Sequence, residues 1–249
     1  MVALKALIDT ADRVLDTSRF KDYAPNGLQL EGKPEVAHLV SGVTASQALI
    51  NAAIEAQADA ILVHHGWFWR GEDPRIVGMK KQRIKALLEH DISLLAYHLP
   101  LDAHPELGNN AQLAKRLGIT CEGTMNTEGV GNYGYFETAL SVDELTQQIQ
   151  QKLTRTPTVI VAGEHPVKTI AWCSGGAQSY IHQAIALGVD AFISGEISEQ
   201  TTHEARENGI HYFAAGHHAT ERYGAPALGD YLAEALAIRH TFIDIDNPA

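Results

Sequence analysis

Three short stretches of this chain place metal-ligand side chains where buried strands should end. Ala60-Ile61-Leu62-Val63 runs into His64-His65-Gly66, and Ile92–Tyr97 runs into His98, with Asp102 four residues on. A third run, Ile210–Ala214, is followed by His217-His218, and Glu221 lies four residues after His217. With His104 included, six of the 13 histidines fall in these three exits. Imidazole nitrogens and carboxylate oxygens are ligands for zinc, iron, manganese, nickel and cobalt. The absence of paired thiolates argues against a closed structural zinc site. The donors suffice for two ions bridged by a carboxylate, and such sites hold their ions roughly 3.5–4 Å apart and bring the pKa of bound water from about 15.7 towards about 7. A plainer reading of the His-His pair stays open, with one ring solvated and the other bonded to a nearby carbonyl. Neighbouring side chains on a strand point to opposite faces, so both rings can serve one site only where the extended backbone ends. Gly66 is expected to supply that freedom.

Rival chemistries find less support. The chain has no G-x-S-x-G elbow, no Walker loop and no strand-anchored G-x-G-x-x-G. Ser174-Gly175-Gly176 suits either an anion-binding nest or a plain helix-entry turn, and the turn is preferred. Glu196 and Glu199 are candidates for orienting ligands or relaying protons, or are simply exposed acids. Arg222 either binds phosphate or neutralises the acids near it, the second being preferred. The formal net charge of −11 disfavours a nucleic-acid partner. No apolar stretch reaches the roughly 18–20 residues that span a bilayer. Asp9, Asp12 and Asp16 at helical spacing argue against a signal peptide. Cys121 and Cys173 are expected to be buried, reduced thiols of a cytoplasmic protein.

The elements that must position these residues alternate. Helical spacing is expected over Val2–Leu15, up to Glu55, and over Met79–Glu89, Val142–Leu153, Gln178–Leu187 and Glu199–Asn208. Buried strands are expected at His38–Val43, Ala60–Val63, Ile92–Tyr97, Val159–Val161, Thr169–Cys173, Asp190–Ser194, Ile210–Ala214 and His240–Ile245. Ser141 with Glu144 forms a capping box, and the last helix should kink or restart at Gly224 and Pro226. Asp22–Gly32 reads as an ordinary turn-rich connection and Trp67-Phe68-Trp69 as a loop anchor, although either can border a site. The fold class is therefore α/β. At a shift of 131 positions Gln47, Ile50, Ala53, Ile54, Asp59 and Ala60 fall on Gln178, Ile181, Ala184, Ile185, Asp190 and Ala191. At a shift of 119, His98 and Asp102 fall on His217 and Glu221. The chain is thus expected to hold two similar α/β domains, 1–126 and 127–249, with the joint in the polar, glycine-dotted stretch 118–134.

The segments Asp22–Gly32, Ala58–Trp69, Tyr97–Asn110, Asp190–Gln200 and Ala214–Glu221 resemble the dinuclear-metal-centre family of GTP cyclohydrolase 1 type 2 homologues. The His-His-Gly, Leu-Asp-Ala-His and Gly-His-His-Ala-Thr-Glu motifs occur in the family's order, and the likeness covers nearly the whole chain. The resemblance implies two α/β domains facing each other across two divalent ions, and iron, zinc and manganese all accept such ligands. It implies that His64, Asp102 and Glu221 bind one ion and His65, His217 and Glu221 the other, with Glu221 bridging. His98 matches a residue lining the site, an extra ligand or a proton-transfer group. His104 and His218 are not carried over, and His218 should point away. The resemblance further implies a ring-shaped homohexamer. The activity it suggests is metal-dependent hydrolysis of a small nucleotide-like or phosphorylated substrate, GTP ring opening being the specific version. The alternative is a metal-binding scaffold or regulatory protein without turnover.

Overall fold

A computed structural model describes all 249 residues, Met1–Ala249. The chain begins β1 (Val2–Ala3), α1 (Leu4–Leu15), β2 (Gly27–Leu30), β3 (Glu35–Val36), β4 (His38–Thr44), α2 (Gln47–Glu55), β5 (Ala60–His65), α3 (Gly78–Glu89) and β6 (Ser93–Ala96). There follow α4 (Leu99–Ala103), α5 (Asn109–Leu117), β7 (Thr120–Thr124), β8 (Asn132–Leu140), α6 (Val142–Leu153), β9 (Thr158–Ile160) and β10 (Val167–Cys173). The rest is α7 (Ile181–Leu187), β11 (Ala191–Ser194), α8 (Glu199–Glu207), β12 (His211–Ala214), α9 (His217–Glu221), α10 (Gly224–Leu236) and β13 (Arg239–Phe242). No helix is long and apolar enough to cross a membrane.

The first sheet has the order β13-β4-β5-β6-β2, parallel except for β2. Its central strands are apolar at almost every position because helices cover both faces. Val40, Ile61, Val63 and Leu94 pack with Leu49, Ile50, Ile84 and Leu87 of the covering helices. The second sheet has the order β7-β8-β10-β11-β12-β9, with β10, β11 and β12 parallel and the outer strands antiparallel. Ile170, Trp172, Ile193 and Phe213 pack there with Leu113 and Leu117 of α5 and with Leu145, Ile149 and Leu153 of α6. The capping box that opens α6 is formed, with Glu144 N–H donating to Ser141 Oγ at 3.2 Å and Ser141 N–H to Glu144 Oε2 at 2.8 Å.

The two sheets repeat one pattern. The series α1-β2-β4-α2-β5-α3-β6 corresponds to α6-β9-β10-α7-β11-α8-β12, and in each case the first strand lies antiparallel at the edge beside the last. One-turn helices α4 and α9 follow, then the longer α5 and α10, then β7 and β13. The boundary differs from the expected cut at 126/127. The compact units are Met1–Leu101 with Gly224–Asp246, and Asp102–Tyr223 with Asn247–Ala249. The reason is strand pairing: β13 closes the first sheet against β4, while β7 pairs with β8 in the second. The polar stretch expected to hold the joint contains β7 and the start of β8, and Thr120–Thr124 reads as loop because nearly every side chain there is exposed. Cys121 on that strand is exposed and only Cys173 is buried. This corrects the expectation for Cys121, since a strand at the sheet edge buries little.

The return of β13 is fastened by polar groups. Ser41 Oγ lies 2.7 Å from His240 Nε2, and His240 Nδ1 donates to Asp230 Oδ1 at 2.7 Å. Arg239 donates to His38 Nδ1 at 2.7 Å, which leaves His38 Nε2 to donate to Thr241 Oγ1 at 3.0 Å. Burial, with the Arg239 charge adding, lowers the His38 pKa below its usual 6.5. The unfolded chain therefore takes up the His38 proton more readily than the native one. This contribution is complete above about pH 6.5 and is lost as the pH falls below it, at up to about 1.4 kcal/mol per pH unit for one group. Thermal unfolding from pH 7.5 to pH 5.5 should show the wild-type midpoint falling relative to that of His38→Gln, which lacks this component of the slope. An unchanged slope would assign the acid sensitivity elsewhere.

Candidate metal centre

In the first unit, β5 delivers His64 and His65 at its carboxyl end, where ligands collect in open α/β sheets. His64 is fully buried, and its Nδ1 lies 3.0 Å from the carbonyl oxygen of Tyr97. Donation to that carbonyl fixes the proton on Nδ1 and the lone pair on Nε2, the usual arrangement of a ligating histidine. His65 Nδ1 lies 3.3 Å from Thr44 Oγ1. The two rings sit 4.4 Å apart between centroids, and His98 is 5.1 Å from His64. One donor nitrogen of each of the three lies within 4.8 Å of the others. Gly66 has a different role from the one expected. Its backbone is not in the left-handed region, but an added Cβ would lie 2.3 Å from Gln29 Oε1. That oxygen accepts from the Trp67 amide at 2.7 Å and ties the loop down.

His98 is held by residues that the sequence alone assigns to an ordinary connection. Its Nδ1 donates to Asp22 Oδ1 at 2.7 Å, and its backbone amide donates to Asn26 Oδ1 at 2.7 Å. Asn26 Nδ2 and the Leu99 amide both donate to Asp22 Oδ2 at 2.9 Å. Burial would raise the Asp22 pKa, but the bonds from His98, Asn26 and Leu99 outweigh it and hold the carboxyl at about 2. Asp22 is thus a permanent carboxylate behind the imidazole, placing the His98 lone pair on Nε2. The available signal is Asp22 and Asn26 within the turn-rich segment, residue types that bond backbone amides.

In the second unit, Asp102 and Glu221 are buried, at 6% and 3% exposure, and each offers an oxygen within 4.8 Å of the other's. Asp102 Oδ1 accepts from Asn109 Nδ2 at 2.9 Å and from Ser174 Oγ at 3.3 Å. The single turn of α9 places His217 Nε2 3.0 Å from Glu221 Oε2, as the four-residue spacing requires. Glu196 Oε1 accepts from His217 Nδ1 at 2.7 Å, so Glu196 does orient a candidate ligand. The bond to Glu221, against some opposition from burial and with Glu196 adding, pushes the His217 pKa up to about 9. Gly175 stands at φ +66°, and a Cβ there would lie 1.9 Å from Glu221 Oε1. Its amide donates to Thr220 Oγ1 at 3.0 Å. Ser174-Gly175 is therefore a turn packed against Asp102 and Glu221. Arg222 turns its guanidinium to the Leu153 carbonyl and Thr154 Oγ1, at 2.6 and 2.7 Å.

The donor chemistry fits a divalent cation. Two buried carboxylates this close repel one another, and a bound cation relieves that repulsion while completing their coordination. Burial, with the charges of Asp102 and Glu221 adding, raises the Cys173 pKa well above its usual value, and its sulfur belongs to none of the donor groups, whose ligand atoms are all nitrogen and oxygen. His104 Nδ1 caps its own turn, accepting from the Leu107 amide at 3.0 Å. His218 is buried, and neither histidine belongs to a donor group. Ser41, His240 and Asp230 reproduce the bonding order of a serine-hydrolase triad. Ser41 is fully buried in a central strand, however, so no substrate reaches its hydroxyl and the set is a structural fastening.

Comparison with known proteins identifies relatives along the whole length. The family model of Duf34/NIF3 (NGG1p interacting factor 3) matches residues 2–248. A Pseudomonas aeruginosa protein named GTP cyclohydrolase 1 type 2 homolog is 57% identical over 251 residues, covering 100% of this chain and 99% of its own. A Vibrio cholerae protein of the same name is 55% identical, covering 98% of each. Among solved structures, protein ybgI, described as of unknown function, superposes with a TM-score of 0.97 at 51% identity over 100% of both chains. TTHA1606 from Thermus thermophilus superposes at 0.92 with 32% identity, again over 100% of both.

Proposed function

The chain belongs to the Duf34/NIF3 family, and from that premise we propose that it is a dinuclear metal-dependent hydrolase of a small nucleotide-like or phosphorylated substrate. The supporting observation is that donors gather within each unit, the imidazoles of His64, His65 and His98 in one and Asp102, His217 and Glu221 in the other. In this proposal His64, Asp102 and Glu221 hold one ion and His65, His217 and Glu221 the second, with Glu221 common to both. Iron, zinc and manganese all accept such ligands. Two divalent cations would supply hydroxide at neutral pH and stabilise the anion formed on attack. The protein's own groups would do the rest. His64 is fixed in its ligating tautomer by the Tyr97 carbonyl. Glu196 orients His217. His98, backed by the Asp22 carboxylate, presents Nε2 as a proton acceptor towards the substrate. The assembly proposed is a homohexamer, which light scattering of the purified protein would test.

GTP ring opening is the specific version, drawn from the name its relatives carry. Metal-loaded protein incubated with GTP should release formate, and Glu221→Ala protein should not. Formate no higher than in that control would remove GTP. The absence of any metal-dependent product across a panel of nucleotides and phosphate esters would remove the hydrolase reading and leave a metal-binding scaffold. Anomalous scattering at several absorption edges would count the ions and identify them.

A further inference from the structure

The loop after β5 builds an aromatic rim around His98 that the chemistry above does not use. Trp69 meets the His98 ring edge to face at 5.0 Å between centroids and lies 5.9 Å from His65. Tyr23 meets His98 edge to face at 6.4 Å and is 58% exposed. This rim is rigid. Arg70 fastens it to the segment that holds His98, its amide donating to the Tyr23 carbonyl at 2.7 Å and its guanidinium to the Asp22 carbonyl at 2.8 Å. The same guanidinium lies 5.6 Å over the Tyr23 ring. Trp69 Nε1 donates to the Gly66 carbonyl at 3.3 Å. Between the two tryptophans, Phe68 stands at φ +68°, a conformation a bulky side chain adopts only when its surroundings impose it. That reversal separates their roles: Trp67 is buried and donates to the Ala45 carbonyl at 3.0 Å, while Trp69 turns to the histidines.

Half-exposed aromatic surface beside imidazoles calls for a ligand with apolar faces and polar edges. We infer that Trp69 and Tyr23 form a stacking subsite for the planar heteroaromatic ring of the substrate, of purine size. The inference rests on the hydrolase reading for its placement but needs only residues of the first unit. Aromatic side chains stack nucleobases irrespective of base identity, because every base has a π-face. The rim therefore selects for a ring and leaves discrimination among bases to other contacts.

Binding separates this inference from the hydrolase reading. Guanosine, GMP and ribose 5-phosphate are titrated into zinc-loaded protein by calorimetry and by tryptophan fluorescence. Guanosine and GMP should bind with quenching and ribose 5-phosphate should not. Trp69→Ala should weaken guanosine by about tenfold or more, Trp69→Phe should restore most of it, and Tyr23→Ala should show a smaller loss. Zinc affinity should be unchanged in all three variants, which also shows them folded. Equal guanosine affinity in Trp69→Ala and wild type, binding of ribose 5-phosphate as tight as GMP, or no nucleoside binding at all would overturn the subsite. Failure to release formate from GTP, with nucleoside binding intact, would count against the reaction and not against the subsite.

Discussion

Adding zinc to metal-stripped protein is expected to raise the midpoint of thermal unfolding by roughly 10 °C, and Glu221→Ala should lose nearly all of that rise. A ligand at a thousand times its dissociation constant adds about 4.1 kcal/mol to the native state. For a chain of this size each kcal/mol moves the midpoint by about 2–4 °C. Glu221 is the critical residue because its carboxylate is close to both Asp102 and His217, the latter 3.0 Å away, and is the one proposed to serve both ions. Glu196→Gln is the graded comparison. Glu196 meets His217 at its far nitrogen, and losing such an outer partner costs about 10–100-fold in metal affinity, so part of the rise should survive. Differential scanning calorimetry with and without zinc measures all three proteins. A full rise in the Glu221→Ala protein would remove Glu221 from the ligand set.

Gly175→Ala is expected to destabilise the protein by about 3–5 kcal/mol and to abolish the zinc-induced rise as well. Two effects combine. Gly175 occupies the left-handed region at φ +66°, where a side chain costs about 1–2 kcal/mol. Its Cβ would also fall 1.9 Å from Glu221 Oε1, so the carboxylate must leave the position at which it meets His217. Gly188 separates the two effects: it has nearly the same φ, +68°, and no atom within 4 Å of an added Cβ. Gly188→Ala should therefore show only the backbone cost, about 1–2 kcal/mol, and keep its response to zinc. Urea unfolding of both variants gives the difference. Equal midpoints would mean that Glu221 moves aside without resistance.

What the sequence conveys about the site follows from burial. Strands covered on both faces are written as unbroken apolar runs, so β4, β5, β6, β10, β11 and β12 and the histidines at their ends are legible without coordinates. The four-residue spacing of His217 and Glu221 likewise declares one turn of helix. Asp22 shows what is hidden: it bonds a side chain 76 residues away, and no local pattern distinguishes a carboxylate that orients a histidine from one that stabilises a turn. Gln29 under Gly66 is hidden for the same reason. β2 and β7 escape a reading of the sequence because they lie at sheet edges and a strand with one free side needs little apolar surface, and β8 escapes because only two of its nine positions are buried. The expected division at 126/127 fails because composition marks exposed stretches, not where a strand finds its partner.

The pairing of β13 with β4 has a consequence for how the molecule is put together. In each repeat the segment after the strand-exit histidine helix does not finish the sheet it grew from: α5 and β7 pack in the second unit, and α10 and β13 in the first. Splitting the chain at 126/127 would strand each fragment without its closing piece and leave it holding the other's. The two products should therefore be insoluble when made separately and recover only when produced together, whereas a circular permutation that keeps both loans intact is the cut this architecture tolerates.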